Sequence, residues 1–396
     1  MHQMRAILLF ALGFVLAISS CTNRQSTSAS AAKVDSSAVP ANNWALLPFK
    51  KIDSVNPVLK PGKGSFFDPI LKTEVLWEAK DVFNPAIVNR DGKIFMLYRA
   101  QDKTGKPAGT SRIGLAVSND ATHFLTMPKP VFYPDNDAYK KLEWEGGCED
   151  PRVVEDSLGT YYMTYTAYDG TTARLLVATS ADLIHWTKHG SVFAHAYNGK
   201  YAGKWSKSGS IVSAYLNGRV IATKINGKYW MYWGDTQIWS ATSRDLIDWT
   251  PVEMKPGEQP PVKLRSQALN MPQLKVVLPT RQGKFDSDLV ESGPPAMLTD
   301  KGILLIYNSR NDRSFGDTSL SDGTYAASQV LFDKNDPTKI LKRMDTYFMK
   351  PEKPYELSGQ VNQVCFVEGL TRFKNSWYLY YGTADSKIAV ASSPAK

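Results

Sequence analysis

Tyr229-Trp230-Met231-Tyr232-Trp233, followed by Ala241-Thr242-Ser243-Arg244-Asp245 and Trp249, is the stretch that decides the fold of this chain. An unbroken aromatic run after the Gly227-Lys228 turn reads as a buried strand. The second run reads as its antiparallel neighbour, closed by an Asp-containing turn. The pair recurs. Tyr161-Tyr162-Met163-Thr164-Tyr165 leads to Ala178-Thr179-Ser180-Ala181-Asp182 and Trp186. Ile94-Phe95-Met96-Leu97-Tyr98 leads to Ala116-Val117-Ser118-Asn119-Asp120 and Phe124. Ile303-Leu304-Leu305-Ile306-Tyr307 and Trp377-Tyr378-Leu379-Tyr380-Tyr381 carry the strand twice more, the last with a truncated partner at Ala389-Val390-Ala391-Ser392. Internal repetition of short strands without helical periodicity predicts an all-β chain folded as a five-bladed β-propeller. A β-sandwich would lack the repeat. A ring must close, so a strand from residues 45–80 is expected to complete the last blade. Asp120, Asp182 and Asp245 recur with the repeat and read as turn residues.

The rest of the composition narrows the class. The chain has 396 residues and a formal charge of +9, from 47 basic and 38 acidic residues. The charges are interspersed, which argues against a nucleic-acid partner. Three cysteines (Cys21, Cys148, Cys365) form no disulfide framework and no C-x-x-C metal motif. Cys148 and Cys365 read as free buried thiols. At the amino terminus Arg5 precedes an apolar run, Ala6 to Ile18, too short to span a bilayer comfortably. Ser19-Ser20-Cys21 follows and resembles a bacterial lipobox. The expected organisation is a lipoprotein signal at 1–21 with lipidated Cys21, a Ser/Ala/Thr-rich tether at 22–43, and the propeller at 44–396. That describes an exported bacterial lipoprotein, periplasmic or on the cell surface, anchored to a membrane through its lipid.

The repeats disagree at one place. In a propeller the start of each first strand and the end of each second strand meet at one mouth of the channel. The starts are Asn84-Pro85, Glu149-Asp150-Pro151-Arg152, Lys207-Ser208, Glu291-Ser292 and Asn362-Gln363. The ends are Arg99, Thr166, Asp235, Asn308 and Asp385. All are polar and none repeats, as expected of a site grafted on a symmetric scaffold. Asp150, Asp235, Glu291 and Asp385 supply carboxylates, and crowding sets their proton affinities apart. Tyr165, Tyr232, Trp233, Tyr307 and Tyr381 adjoin them and are expected to stack on a sugar. Asp150 precedes Pro151, which predicts an extended backbone there. Gly146-Gly147 let the chain approach the axis. The histidines do not converge, so neither a metal nor a cofactor is expected.

Glu145-Gly146-Gly147-Cys148-Glu149-Asp150-Pro151-Arg152, with Phe83-Asn84-Pro85-Ala86, Tyr98-Arg99-Ala100, Ser111-Arg112-Ile113-Gly114 and Tyr381-Gly382-Thr383-Ala384-Asp385, resembles glycoside hydrolase family 130. The resemblance implies five blades and inverting action on β-mannosides, by phosphorolysis or by hydrolysis. It implies that Asp150 is the proton donor, in the phosphorylases through a sugar hydroxyl, and that Asn84, Arg99, Arg112 and Asp385 contact the sugar. The phosphorylases carry a Lys near Lys207 and a His-Arg pair at the end of the next strand, which here ends Met231-Tyr232-Trp233-Gly234-Asp235. They tend to a neutral, glycine-rich entry where this chain has Glu291. Negative charge repels phosphate and can polarise water. The expected reading is an inverting β-mannoside hydrolase, and the resemblance to the hydrolytic branch suggests β-1,2-linked substrates. Asp150 is its donor, Glu291 aided by Asp235 holds the water, and Asn84, Arg99, Arg112, Glu149, Arg152, Tyr165, Lys207 and Asp385 bind substrate. The family's usual partner near position 235 is Glu, so Asp235 departs from the pattern. Three alternatives remain: a β-mannoside phosphorylase, a non-catalytic glycan-binding propeller, and an arabinanase- or fructosidase-type enzyme using Asp68 in Phe67-Asp68-Pro69. The segments Lys255–Gln273 and Asn311–Gly323 are expected to rim the funnel.

Overall fold

Each aromatic run forms the second strand of an antiparallel sheet. The computed structural model describes residues 43–106, 108–259 and 271–395. The signal, the tether to residue 42, Cys21, and residues 260–270 of the rim segment lie outside the described residues. The first repeat pairs Asp81–Arg90, Lys93–Gln101, Ser111–Ser118 and Leu125–Thr126 in order. The second pairs Gly147–Glu155, Tyr161–Tyr168, Ala173–Ser180 and Thr187–Ser191. The third is built on Ser210–Ile211, Tyr229–Trp233, Ile238–Ser243 and Trp249–Pro251. The fourth pairs Leu289–Ser292 and Met297–Thr299 with Gly302–Arg310, then Tyr325–Phe332 and Ile340–Arg343. In the fifth, Cys365–Phe373, Ser376–Thr383 and Lys387–Pro394 are completed by Lys50–Lys51, the closing strand expected between residues 45 and 80. Among the described residues helix is confined to short turns such as Lys140–Glu143 and Pro354–Leu357. Isolated parallel bridges (Ser111 to Gly147, Ile221 to Glu155, Ser213 to Met297) join several repeats into one larger sheet, and among the described residues no sheet closes on itself.

The second strands are apolar on both faces because both faces are buried. Side chains alternate along a strand. Thus Met96 and Tyr98 enter a cluster with Tyr380 and Val390 of the fifth repeat. Leu97 enters one with Val153 and Met163 of the second. Met231 and Trp233 face Leu175 and Val177, whereas Tyr232 faces Leu305 and Phe332. Leu304 and Ile306 join Leu379 and Tyr381. Each of these five clusters bridges two consecutive repeats, and one of them joins the last repeat to the first. Burying each large apolar side chain contributes ~1.5–3 kcal/mol, so the repeats hold one another.

The recurring turn has one chemistry. Ser118, Ser180 and Ser243 hydroxyls accept the amide of the residue three positions on. Asp120, Asp182 and Asp245 each accept two following amides. In two copies the indole, at Trp186 and Trp249, donates back to Leu183 and Leu246 carbonyls. Cys148 and Cys365 are free and buried.

Candidate active site

The site arises from one register position repeated around the sheets. Tyr98, Tyr232, Tyr307 and Tyr381 lie opposite Pro85, Ser210, Ser292 and Val367 of their first strands. The residues just before these are Asn84, Gly209, Glu291 and Phe366. In the second repeat a bulge between Glu149 and Arg152 sets Asp150-Pro151 across from Tyr165. Asn84, Asp150, Glu291 and Phe366 line one cavity of about 110 Å³, together with Arg99, Lys207, Tyr325, Val361, Val364 and Asp385.

Asp150 is not extended. Its φ is 48°, and that of Asn84, also before a proline, is 49°. The extra residue of a β-bulge turns the chain aside, and Asn and Asp tolerate the left-handed region better than other side chains. The bulge therefore outweighs the preference imposed by the following proline and swings both side chains toward one another. Asn84 Nδ2 donates to Asp150 Oδ1 at 2.9 Å. Arg99 Nη1 donates to the same oxygen at 3.1 Å, and Lys207 Nζ lies 3.4 Å from Oδ2. Glu149, buried behind, holds Arg99 Nη2 at 2.7 Å. Arg152 braces the floor: its guanidinium donates to the carbonyls of Gly293, Ser292 and Asp150. Ser208 Oγ donates a short hydrogen bond to Glu291 Oε1.

Electrostatics separate the carboxyls of Asp150 and Glu291, which line the same cavity. Burial pushes Asp150 up, but Arg99 and Lys207 outweigh it and hold the carboxyl well below its ordinary range. Burial, reinforced by Asp235 against the opposing charge of Lys207, pushes Glu291 up to about 7. Burial likewise lifts Asp385 to about 6, partly offset by Arg99. Lys207 is held charged by Asp150 and Glu291 despite its burial.

Several expected residues stand elsewhere. Asp235 does not line the cavity; it accepts from the Trp205 indole at 2.8 Å and acts on Glu291 through its charge. Arg112 is fully buried between Asp68 and Asp102, at 2.6 Å from each, and is not at the cavity. Asp68, the carboxylate of the arabinanase-type alternative, is thus spent on that pair. Tyr165, Tyr232, Trp233, Tyr307 and Tyr381 offer no face to a sugar, because all are buried in the clusters between repeats. Four tyrosines instead clasp buried acids: Tyr98 to Glu78, Tyr165 to Glu143, Tyr307 to Asp286 and Tyr381 to Glu356, at 2.8–2.9 Å. Tyr325, Val361, Val364 and Phe366 escaped the sequence reading. Phe366 alone had a signal, the register it shares with Asp150. Glu368, fully buried with neither oxygen hydrogen-bonded and Arg152 at 3.5 Å, also went unseen.

The cavity can hold a small polar ligand between a carboxyl that is ionised and one that keeps a proton near neutrality. The family model Glyco_hydro_130, described as beta-1,4-mannooligosaccharide phosphorylase, matches residues 50–396. The 1,2-beta-oligomannan phosphorylase of Thermoanaerobacter sp. (strain X514) is 31% identical over 347 residues, 85% of this chain and 95% of that protein. A glycosyl hydrolase of Bacteroides ovatus superposes with a TM-score of 0.82 at 46% identity, over 89% of this chain and 96% of that one. Another solved structure, described with the words "The GH130 family of mannoside phosphorylases contains glycoside hydrolases that target beta-1,2 mannosidic linkages in Candida mannan", gives 0.82 at 45% identity, over 89% and 97%.

Proposed function

The chain belongs to glycoside hydrolase family 130, and we propose that it is an inverting β-mannoside hydrolase built as a five-bladed β-propeller. The ring is supported by the five clusters that link consecutive repeats and join the fifth to the first. One observation carries hydrolysis over phosphorolysis. Among the described residues the cavity has three carboxylates (Asp150, Glu291, Asp385) against two cations, and both cations are taken: Arg99 and Lys207 each contact Asp150. A phosphate dianion would find no cation free to receive it and three acidic side chains around it, whereas water needs only acceptors.

In this reading Asp150 passes a proton to the departing glycosidic oxygen, directly or through a sugar hydroxyl. Glu291, with Asp235 behind it, takes a proton from water on the opposite face. Asn84, Arg99, Lys207 and Asp385 orient the sugar. A second reading is favoured by the proton affinities, because the free site keeps its proton on Glu291 and its charge on Asp150. There Glu291 is the donor. An aryl β-mannoside with a good leaving group separates the two: it restores turnover to whichever of Asp150→Asn and Glu291→Gln has lost the acid, and not to the one that has lost the base.

Incubating the protein with β-1,2-mannobiose, with and without phosphate, tests the reaction. Hydrolysis gives mannose in both, released first as the α-anomer. Mannose 1-phosphate as the main product would establish phosphorolysis instead.

A further inference from the structure

A larger cleft than the catalytic cavity lies between the first and second repeats. It measures about 480 Å³, within the usual range for ligand pockets, and shares no lining residue with the cavity of Asp150. The 131–139 segment forms one side and the turn at 184–188 the other. Tyr133, Tyr139 and Trp186, all half-buried, line it beside Asp135, Asp137 and Lys188.

The rings are held rigidly. Trp186 Nε1 donates to the Leu183 carbonyl at 3.0 Å, and its ring meets Phe132 edge-on. Tyr133 leans on Phe66 with centroids 5.2 Å apart. Tyr139 covers Gly190 so closely that a Cβ there would sit 2.9 Å from the ring. The hydroxyls of Tyr133 and Tyr139 form no hydrogen bond to another described residue, and nor does Asp135 Oδ2. The charge in the cleft is already spoken for. Lys188 Nζ spends its three donors on the Tyr133 carbonyl, Asp137 and Glu143, at 3.0, 3.0 and 2.6 Å. Among the described residues lining the cleft no lysine or arginine is left uncommitted to attract a phosphate or an acidic peptide, and the His185 ring is paired with Asp182 at 2.7 Å. What remains is amphipathic: fixed aromatic faces that accept C–H groups, ringed by oxygens that exchange hydrogen bonds with hydroxyls.

We infer that this cleft is a second carbohydrate-binding site, taking a neutral oligosaccharide of the substrate's class and holding it outside the catalytic cavity. The inference rests on the mannoside-directed reading above. Such a site would keep a polymer at the enzyme between cleavages without taking part in chemistry.

The test uses binding and turnover separately. In the full-length Asp150→Asn protein, β-1,2-linked mannohexaose titrated calorimetrically should show two classes of site, and adding Tyr139→Ala should remove one. In the active protein, Tyr139→Ala should weaken retention on immobilised β-mannan about tenfold while kcat/KM on mannobiose stays within about twofold. Asp135→Asn, a milder change, should weaken retention in the same direction, and matching melting temperatures show that either variant folds. A single class of site in the parent, or two classes untouched by Tyr139→Ala, overturns the inference. Retention that depends on Tyr139 in a protein that turns over no mannoside would instead sink the proposed reaction and leave this site standing.

Discussion

Asp150 and Glu291 hold equivalent places in two repeats, yet their surroundings drive their carboxyls in opposite directions. Two cations and an amide contact Asp150, whereas Glu291 is driven by burial, has one hydroxyl donor in contact, and feels Lys207 only at a distance and against the like charge of Asp235. In the proposed mechanism the productive free enzyme carries one proton on the pair. Below the range of Asp150 both are protonated and no base remains. As pH rises through about 7, the proton leaves Glu291 and no acid remains. The profile of kcat/KM against pH should therefore be a bell with its alkaline limb near 7. Glu291→Gln should lower kcat by ~10²–10⁴-fold and remove that limb from the residual activity. A limb that persists near 7 in Glu291→Gln belongs to another group. Asp150 was legible in the sequence because it breaks the repeat beside a proline. Its backbone was not, because a bulge depends on the facing strand.

At the scale of one strand, the aromatic runs misled where they sit nearest the site. Tyrosines beside carboxylates in the sequence suggest a sugar platform, but alternation sends each ring into a cluster between repeats; the hydroxyls of Tyr165, Tyr307 and Tyr381 go to acids that precede their sheets, and that of Tyr232 to the Pro337 carbonyl. The clasped acids, Glu78, Glu143, Asp286 and Glu356, stand 20, 22, 21 and 25 residues before their tyrosines, a near-constant interval whose meaning shows only once the strands are paired. The clasp is a structural device, and its cost can be measured. Tyr381 donates to Glu356, which also takes Lys51 at 2.7 Å. Tyr381→Phe removes one donor from a fully buried carboxylate and should cost about 1–3 kcal/mol. Tyr378→Phe, on the same strand and without a clasp, should cost less than about 0.5 kcal/mol. Urea unfolding of the two variants compares them directly, and equal losses would mean that the hydroxyl bond contributes nothing.

Over the whole molecule, the repeat told more than any motif. Five strands of one composition were enough to expect five sheets and a closing strand from the amino-terminal side. The cavity's apolar wall at Val361 and Val364, and the tie between Arg112 and Asp68, could not be read, because they join segments remote in sequence. That closing strand carries the last prediction. Lys50 and Lys51 pair with Ser392 and Ala391, and Lys51 Nζ reaches the Lys350 carbonyl and Glu356 at 2.8 and 2.7 Å. Lys51→Met keeps the strand but leaves the buried Glu356 without its cation, held only by the Tyr381 hydroxyl and the Glu352 and Lys353 amides, a change that should cost up to ~3–5 kcal/mol. Every core cluster is shared by two repeats, so the fifth repeat cannot loosen without exposing parts of the first and fourth. Lys51→Met should therefore lower the midpoint of one cooperative unfolding transition, seen alike by tryptophan fluorescence and circular dichroism. Hydrogen exchange should quicken across all five second strands, not only at Ser376–Thr383. If a separate early transition appears, confined to the fifth repeat, the repeats are stacked but do not brace one another as a ring.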